Sequence, residues 1–561
     1  MRCGAYRTTD LSAIGLSLAV YCTSGKGAGV NEVSGRLLRK GDYIFGSYVK
    51  PEAVDGYING MNPGDRTDVL GRFPFAESSV NEAVSYAALG YRVWRRTSME
   101  DRAGAVQLFK EQLVTHQESL ARLITREIGK PLWESRQEVV ASIRAVDLLL
   151  DEGVERLSSR IIDEFGARSD RLPRGVVAIF CPFNFPLLVA ASHTASSVLS
   201  GNAAIVKPSK FAPGVGQAHM DLWDRCRLAR GTVNMVQGPG SVVGHRLATH
   251  ADVDVVLFTG AFDTARTLMR LTQSRPELPI LIQCGGKGTA LVLDDAEVER
   301  AVYEVMVGAF LTAGQRHNST GRVLVMDSVY DDFVGRLVDQ SRKLSVGYGF
   351  ESGKFMGPLI SENLRTRFRR YIRSLAGQGH TILLESEPPT GTGSGFYVRP
   401  SIIEVDWAQA SPVLAGEPPG PTLLVYRVSD WQQAIALHNQ VEARIATSVF
   451  TSLENPCLGE LKERLRTGAL NINRGTIGAS LRLPSVGLGT SSNGVIGGVG
   501  LLEKLTHPRS QLTELREFEG LPKLPGIHWE DSAVTESATP LAAQDDPTDV
   551  GDLSNFLELS D

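Results

Sequence analysis

At 561 residues, with 42% apolar and 22% charged positions, the chain is too long for one core and too ordinary in composition to be disordered or fibrous. Its 6 cysteines, at positions 3, 22, 181, 226, 284 and 457, include no CxxC spacing; a disulfide scaffold and a zinc ribbon are excluded, and a reduced, cytoplasmic protein is expected. The formal charge of −5 is uneven: 530–561 holds nine acidic residues and no Lys or Arg, so the remainder is mildly basic, with no nucleic-acid footprint and no apolar run of the roughly 18–20 residues that span a bilayer.

Residues 1–35 carry no sustained periodicity and read as a poorly ordered extension. Leu11–Val20 faintly resembles a secretory apolar stretch, but Asp10 interrupts the basic region and Tyr21 is too large beside Cys22 for lipoprotein cleavage. From Val80 to Val154 the pattern is helical: Val106, Phe109, Leu113, Leu120, Leu123 and Ile124 recur at three, four and seven, with Thr97 or Ser98 as cap and Gly129 and Pro131 as the stop.

Short β-branched runs follow at Val176–Phe180, Ala203–Val206, Val233–Val236, Val255–Phe258, Ile280–Ile282 and Ala290–Leu293, with helical stretches such as Gly214–Arg227 and Ser241–His250 between them. Strands alternating with helices predict βαβ units and parallel sheet. A second series includes Arg322–Met326, Tyr330–Leu344 and Ala434–Asn439, and after Leu521 the composition becomes that of an acidic disordered tail.

Several motifs fall where these strands end. Gly238, Gly240 and Gly244 in Gln237-Gly-Pro-Gly-Ser-Val-Val-Gly244 form a G-x-G-x-x-x-G turn that can bring backbone close to a dinucleotide. Pro182-Phe-Asn-Phe-Pro186, Lys207-Pro-Ser-Lys210, Phe258-Thr-Gly260 and Gly285-Gly-Lys287 each follow a strand, at the edge where such sheets bind ligands. Cys181 and Cys284 read as small buried hydrophobes, although Cys181 could line the cleft.

Together with Glu127-Ile-Gly-Lys-Pro131, Met356-Gly-Pro-Leu-Ile-Ser361, Gly395-Phe-Tyr-Val-Arg-Pro400 and Glu417-Pro-Pro-Gly-Pro421, these motifs resemble the aldehyde dehydrogenase superfamily from about Lys40 to Pro508, and within it the succinylglutamate-semialdehyde dehydrogenases. The resemblance implies a three-layer α/β fold: a Rossmann-like NAD(P) domain at 36–282, a catalytic domain at 283–470, a bridging and oligomerisation segment at 471–521, and the tail at 522–561. It also implies a homodimer or homotetramer built from a hairpin near 158–171 and strands near Arg482–Leu515.

The family uses a Cys nucleophile, an Asn amide for the oxyanion and a Glu base. Carried over by position, the Asn is Asn184. The base motif E-[LM]-G-G-K here reads Gln283-Cys-Gly-Gly-Lys287, and the nucleophile motif G-Q-x-C reads Gly314-Gln-Arg-His317, so Gln283 and His317 replace both reactive groups. On the cofactor side the resemblance assigns Phe183, Lys207, Ser209, Lys210, Gly240, Gly244, Thr259, Gly260 and Glu417. Lys210 stands where NAD-preferring members carry Glu, which favours NADP. Ala261 and Pro419 replace a pyrophosphate-contacting Ser and a nicotinamide-pocket Phe, which weakens dinucleotide binding. The resulting expectation is an NAD(P)-dependent family fold, acting by descent on an aldehyde or semialdehyde, whose covalent chemistry is impaired. The alternative is an active oxidoreductase with His317 as base on an aldehyde hydrate.

Overall fold

The computed structural model describes residues 40–162, 166–387, 389–406, 416–478, 480–484, 486–515 and 525–527. The extension at 1–35 and nearly all of the acidic tail lie outside the described residues. By its internal contacts the chain divides into two compact units: 1–158 with 170–509, and 159–169 with 510–561.

In the larger unit the helical region is four helices rather than one pattern: Ser78–Trp94, Met99–Thr115, Gln117–Ile128 and Leu132–Arg156. Ser98 starts the second by accepting the Asp101 amide hydrogen. Gly129, at φ 87°, stops the third, and a Cβ there would lie 2.6 Å from Pro358 Cγ.

Two seven-stranded sheets follow. The first has the order Ile280–Cys284, Val255–Gly260, Val176–Phe180, Ala203–Lys207, Val233–Met235, Asp42–Ile44, Ser47–Val49; its first five strands run parallel and the last two are antiparallel additions. The second has the order Thr381–Leu384, Ser401–Glu404, Thr422–Val428, Thr320–Met326, Gly288–Val292, Ala446–Phe450, Ala469–Ile472, parallel except for Thr381–Leu384.

The strand sequences explain this arrangement. All five residues of Val176–Phe180 are buried: Val177 and Ile179 enter one apolar cluster, while Val176, Ala178 and Phe180 enter another. Leu291 likewise faces away from Ala290 and Val292. A sheet covered on both faces needs continuous apolar strands, and helices provide the outer layers. The fold is therefore three-layer α/β, as expected.

The order of the first sheet reverses beside Val176–Phe180, which pairs with Ala203–Lys207 on one side and Val255–Gly260 on the other. A doubly wound sheet opens its ligand crevice at such a reversal, beyond the carboxyl ends of the strands. Gly285–Lys287 carries the chain from that edge to the amino edge of the second sheet, where Gly288 N donates to Ser319 O at 2.7 Å. The Pro182–Pro186 turn, Gln283 and the His317 loop are thereby brought to the same margin.

Two buried carboxylates fix the helices that lead from this margin. Glu138 Oε1 accepts the amides of Leu187 and Leu188, opening Pro186–Leu199. Glu127 accepts the amides of Gly214 and Val215, both at 2.8 Å, opening Pro213–Trp223. Burial pushes the Glu127 carboxyl up to about 7 against those two favourable amides. The stretch expected as helical from Ser241 to His250 is so: a π-helical turn, Gly240–Gly244, runs directly into the short α-helix His245–Thr249.

In the smaller unit, Arg160–Ile162 pairs antiparallel with 167–169, and Thr513 N donates to Gly166 O at 3.0 Å. No described helix is long and apolar enough to cross a membrane, and the described residues include no cluster of His, Cys, Asp and Glu that fits a metal ion.

Candidate active site

The His317 loop begins where helix Val298–Phe310 ends. Thr312, Ala313 and Gly314 follow with φ of 56°, 52° and 64°. Left-handed backbone suits Gly but is strained for Ala and more so for β-branched Thr, by of order 1–3 kcal/mol each. Gln315 ties the loop on both sides: its Oε1 accepts the Ile360 amide at 3.0 Å, and its carbonyl accepts Asn184 Nδ2 at 2.8 Å. Asn184, nearly buried, thus spends one of its two amide hydrogens on the loop that presents His317.

His317 is half-buried, its ring edge-on to Phe185 with centroids 6.3 Å apart. Burial, reinforced by the neighbouring Arg316 cation, lowers its imidazole to about 4, so it is neutral at physiological pH. Phe185 itself lies beneath two cations, with Lys130 Nζ 4.4 Å and the Arg316 guanidinium carbon 5.1 Å from its centroid. Each cation has a buried carboxylate: Lys130 Nζ lies 2.6 Å from Glu138 Oε2, and Arg316 Nη2 lies 2.8 Å from Glu134 Oε1.

None of Lys130, Glu134, Glu138, Phe185 and Arg316 was assigned a role from sequence. The available signal was the i, i+4 spacing of Glu134 and Glu138, which puts both carboxylates on one face of helix Leu132–Arg156.

Gln283 sits near the end of strand Ile280–Cys284, opposite Thr259 in register and bridged to the backbone of Ser492. Cys284 turns to the other face, into the apolar cluster with Phe258 and Ile282, and Cys181 enters the core on the opposite side of the sheet. Burial pushes both thiols up to about 12. Ser319 is fully buried, and the Thr320 hydroxyl meets that of Thr476 at 2.9 Å. Neither the described cysteines nor these hydroxyls supply an activated nucleophile.

On the other side of the margin, Lys207 Nζ donates to the carbonyls of Pro208, at 3.0 Å, and Gly238, at 3.2 Å, and burial lowers its ammonium to about 8. A Cβ on Gly244 would come 3.4 Å from the Phe180 ring and 3.6 Å from the Lys207 stem, while one on Gly240 would meet nothing within 4 Å among the described residues. Ser209 Oγ accepts the Phe211 amide, Phe183 meets Phe211 edge-on at 5.9 Å, and exposed Lys210 holds its ammonium 5.2 Å from the Phe211 centroid. Thr259 Oγ1 is buried without a hydrogen-bond partner among the described residues. Gly260 follows it, and a Cβ there would strike the Phe258 ring. Glu417 lies over the Gly285–Gly286 turn, its Oε2 accepting the Gly286 amide at 3.1 Å.

A sequence model of the aldehyde dehydrogenase family matches residues 48–510. The chain belongs to the aldehyde dehydrogenase family. It is 30% identical over 495 residues to N-succinylglutamate 5-semialdehyde dehydrogenase from Burkholderia thailandensis, an alignment covering 87% of this chain and 99% of that protein. Among solved structures it resembles lactaldehyde dehydrogenase from Escherichia coli, with TM-score 0.78 and 26% identity over 84% of this chain and 98% of that one. It also resembles betaine aldehyde dehydrogenase from Staphylococcus aureus, solved in complex with NAD+, with TM-score 0.79 and 26% identity over 85% of this chain and 94% of that one.

Family membership gives the margin its vocabulary. Asn184 and His317, which the motif reading places at the oxyanion and nucleophile positions, share one wall through Gln315 and Phe185. Gln283 shares a strand register with Thr259. Lys207 lies near Gly244, and Lys210 is exposed.

Proposed function

We propose that this aldehyde dehydrogenase family protein binds a nicotinamide dinucleotide at the carboxyl edge of its first sheet and does not carry out covalent aldehyde oxidation. The observation that carries the reading is the neutral imidazole of His317 at the nucleophile position, in a wall otherwise assembled from Asn184, Gln315 and Phe185. An imidazole lacks the soft, polarizable sulfur that forms and releases a thioester. Gln283 compounds the loss, since an amide takes no proton at neutral pH and cannot serve as base for water.

The residues fit a dinucleotide. The buried Thr259 hydroxyl lacks a partner among the described residues, which also leave the backbone at Gly240 open to close approach, and Lys207 is held near Gly244 by two carbonyls. Lys207, Ser209 and Lys210 would hold the adenosine end, Gly240 and Gly244 the pyrophosphate, and Thr259, Gly260 and Glu417 the nicotinamide end. When bound, the nicotinamide supplies a hydride acceptor. Asn184 retains one amide hydrogen for a carbonyl oxygen in the pocket, and the relative's printed activity supports a semialdehyde as the ligand class. Ile161 and Ile162, adjacent and both exposed in the hairpin of the smaller unit, support a homodimer or homotetramer. The reduced thiols support a cytoplasmic location.

Lys210 sets the cofactor preference in this reading. Calorimetric titration is expected to show tighter binding of NADP than NAD, and Lys210→Glu to weaken NADP about fivefold while leaving NAD nearly unchanged. Binding of neither dinucleotide would defeat the cofactor assignment.

A second reading rests on the imidazole of His317 being unprotonated at physiological pH, so that it takes a proton from the hydroxyl of an aldehyde hydrate, as a base weakened by its lowered proton affinity. Incubation with NAD or NADP and a panel of semialdehydes separates the two. The proposal expects dinucleotide binding without reduced-nicotinamide absorbance. Sustained turnover abolished by His317→Ala would favour the second reading.

A further inference from the structure

The strained turn ahead of His317 has a dedicated anchor on a distant helix. Glu134, in the first turn of Leu132–Arg156, is 1% exposed at its side chain. Its Oε1 accepts the Thr312 hydroxyl and Arg316 Nη2, and Arg316 Nε donates back to Thr312 Oγ1 at 2.8 Å. Both partners belong to the loop, one inside the left-handed run and one immediately before His317. Glu134 Oε2 has no partner among the described residues.

A carboxylate in such a place is costly unless a cation compensates it, and here the cation is Arg316. The closed triangle of Glu134, Thr312 and Arg316 opposes the tendency of Thr312 and Ala313 to return to right-handed backbone. It also presses the Arg316 guanidinium over Phe185, the ring that meets His317.

We infer that Glu134 is a positioning residue, which holds the 312–316 turn in its left-handed form and so sets the Gln315 carbonyl against Asn184 and residue 317 against Phe185. The inference goes beyond the proposed inactivity, because it concerns how the loop is held whatever residue stands at 317. Loss of the carboxylate frees Arg316 and Thr312 together, lets the turn relax, and opens His317 to water.

The test follows imidazole titration by NMR in the full chain, with Glu134→Ala and Glu134→Gln, the His317 signal being identified by its loss in His317→Asn. In the unaltered chain His317 is expected to protonate only near pH 4. In Glu134→Ala its midpoint should rise by about one pH unit or more as hydration returns. Glu134→Gln keeps an acceptor oxygen and should give a smaller rise. His193 and His438, buried elsewhere and also lowered to about 4, serve as controls and should not move. An unmoved His317 in Glu134→Ala, or all three histidines moving together, would overturn the inference. If Glu134→Ala does not fold, amide exchange in Glu134→Gln decides: acceleration confined to 311–319 supports the anchor, and unchanged exchange there rejects it.

Discussion

Replacing His317 with Cys and Gln283 with Glu in one chain is expected to raise aldehyde-dependent reduction of NADP by at least about 10³-fold over the unaltered protein. Groups that act as a unit are not additive, so either change alone should recover little. A thiol at 317 would lie beside the Arg316 guanidinium, which favours the thiolate, and opposite the remaining amide hydrogen of Asn184. A Glu at 283 matches Gln in size and needs only the carboxylate to act as base. The left-handed turn, the Asn184–Gln315 contact and the glycine turn are already in place. Absence of activity in the double variant would mean that the pocket or the cofactor cleft is lost as well as the reactive groups.

The largest expected loss of stability comes from Lys130. Its ammonium and the Glu138 carboxylate are 2.6 Å apart, with both side chains 1% exposed. Removing one partner of such a pair strands a buried charge, and Lys130→Met is expected to cost about 3–5 kcal/mol, read as a shift of the urea transition. Glu138 also accepts the amides of Leu187 and Leu188, so a compensating change must keep an acceptor. Glu138→Gln does so, and Lys130→Met with Glu138→Gln should regain most of the loss, leaving a deficit of about 1 kcal/mol for the weakened helix start. A loss below about 1 kcal/mol for Lys130→Met alone would mean that this pair does not secure the Pro182–Pro186 turn.

The alternation of buried apolar runs and helices was legible because both sheets are covered on two faces, which leaves strands such as Val176–Phe180 with no polar positions to confuse the pattern. Asn184, Gln283 and His317 were legible only through the family resemblance, which assigns them by motif position. Other features were hidden by ambiguity in local sequence. Glu134 and Glu138 carry charge at helical spacing, which usually marks a solvated face; they are buried only because Arg316 and Lys130, brought in by tertiary packing, neutralise them. The break at His116 has no glycine or proline to announce it. The wider π pitch at Gly240–Gly244 has no signal in its residues, since Val242 and Val243 are adjacent rather than a turn apart. Left-handed Thr312 and Ala313 run against local preference, and contacts from helix Leu132–Arg156 hold them there.

The central claim is that the family's cleft remains while its covalent step does not. Rapid mixing of the unaltered protein, at a concentration above that of a semialdehyde and with saturating NADP, isolates a single turnover. The account predicts dinucleotide binding, seen as quenched protein fluorescence, with no burst of reduced nicotinamide. A burst approaching one equivalent per site, at a rate comparable to that of the His317→Cys and Gln283→Glu double variant, would contradict it.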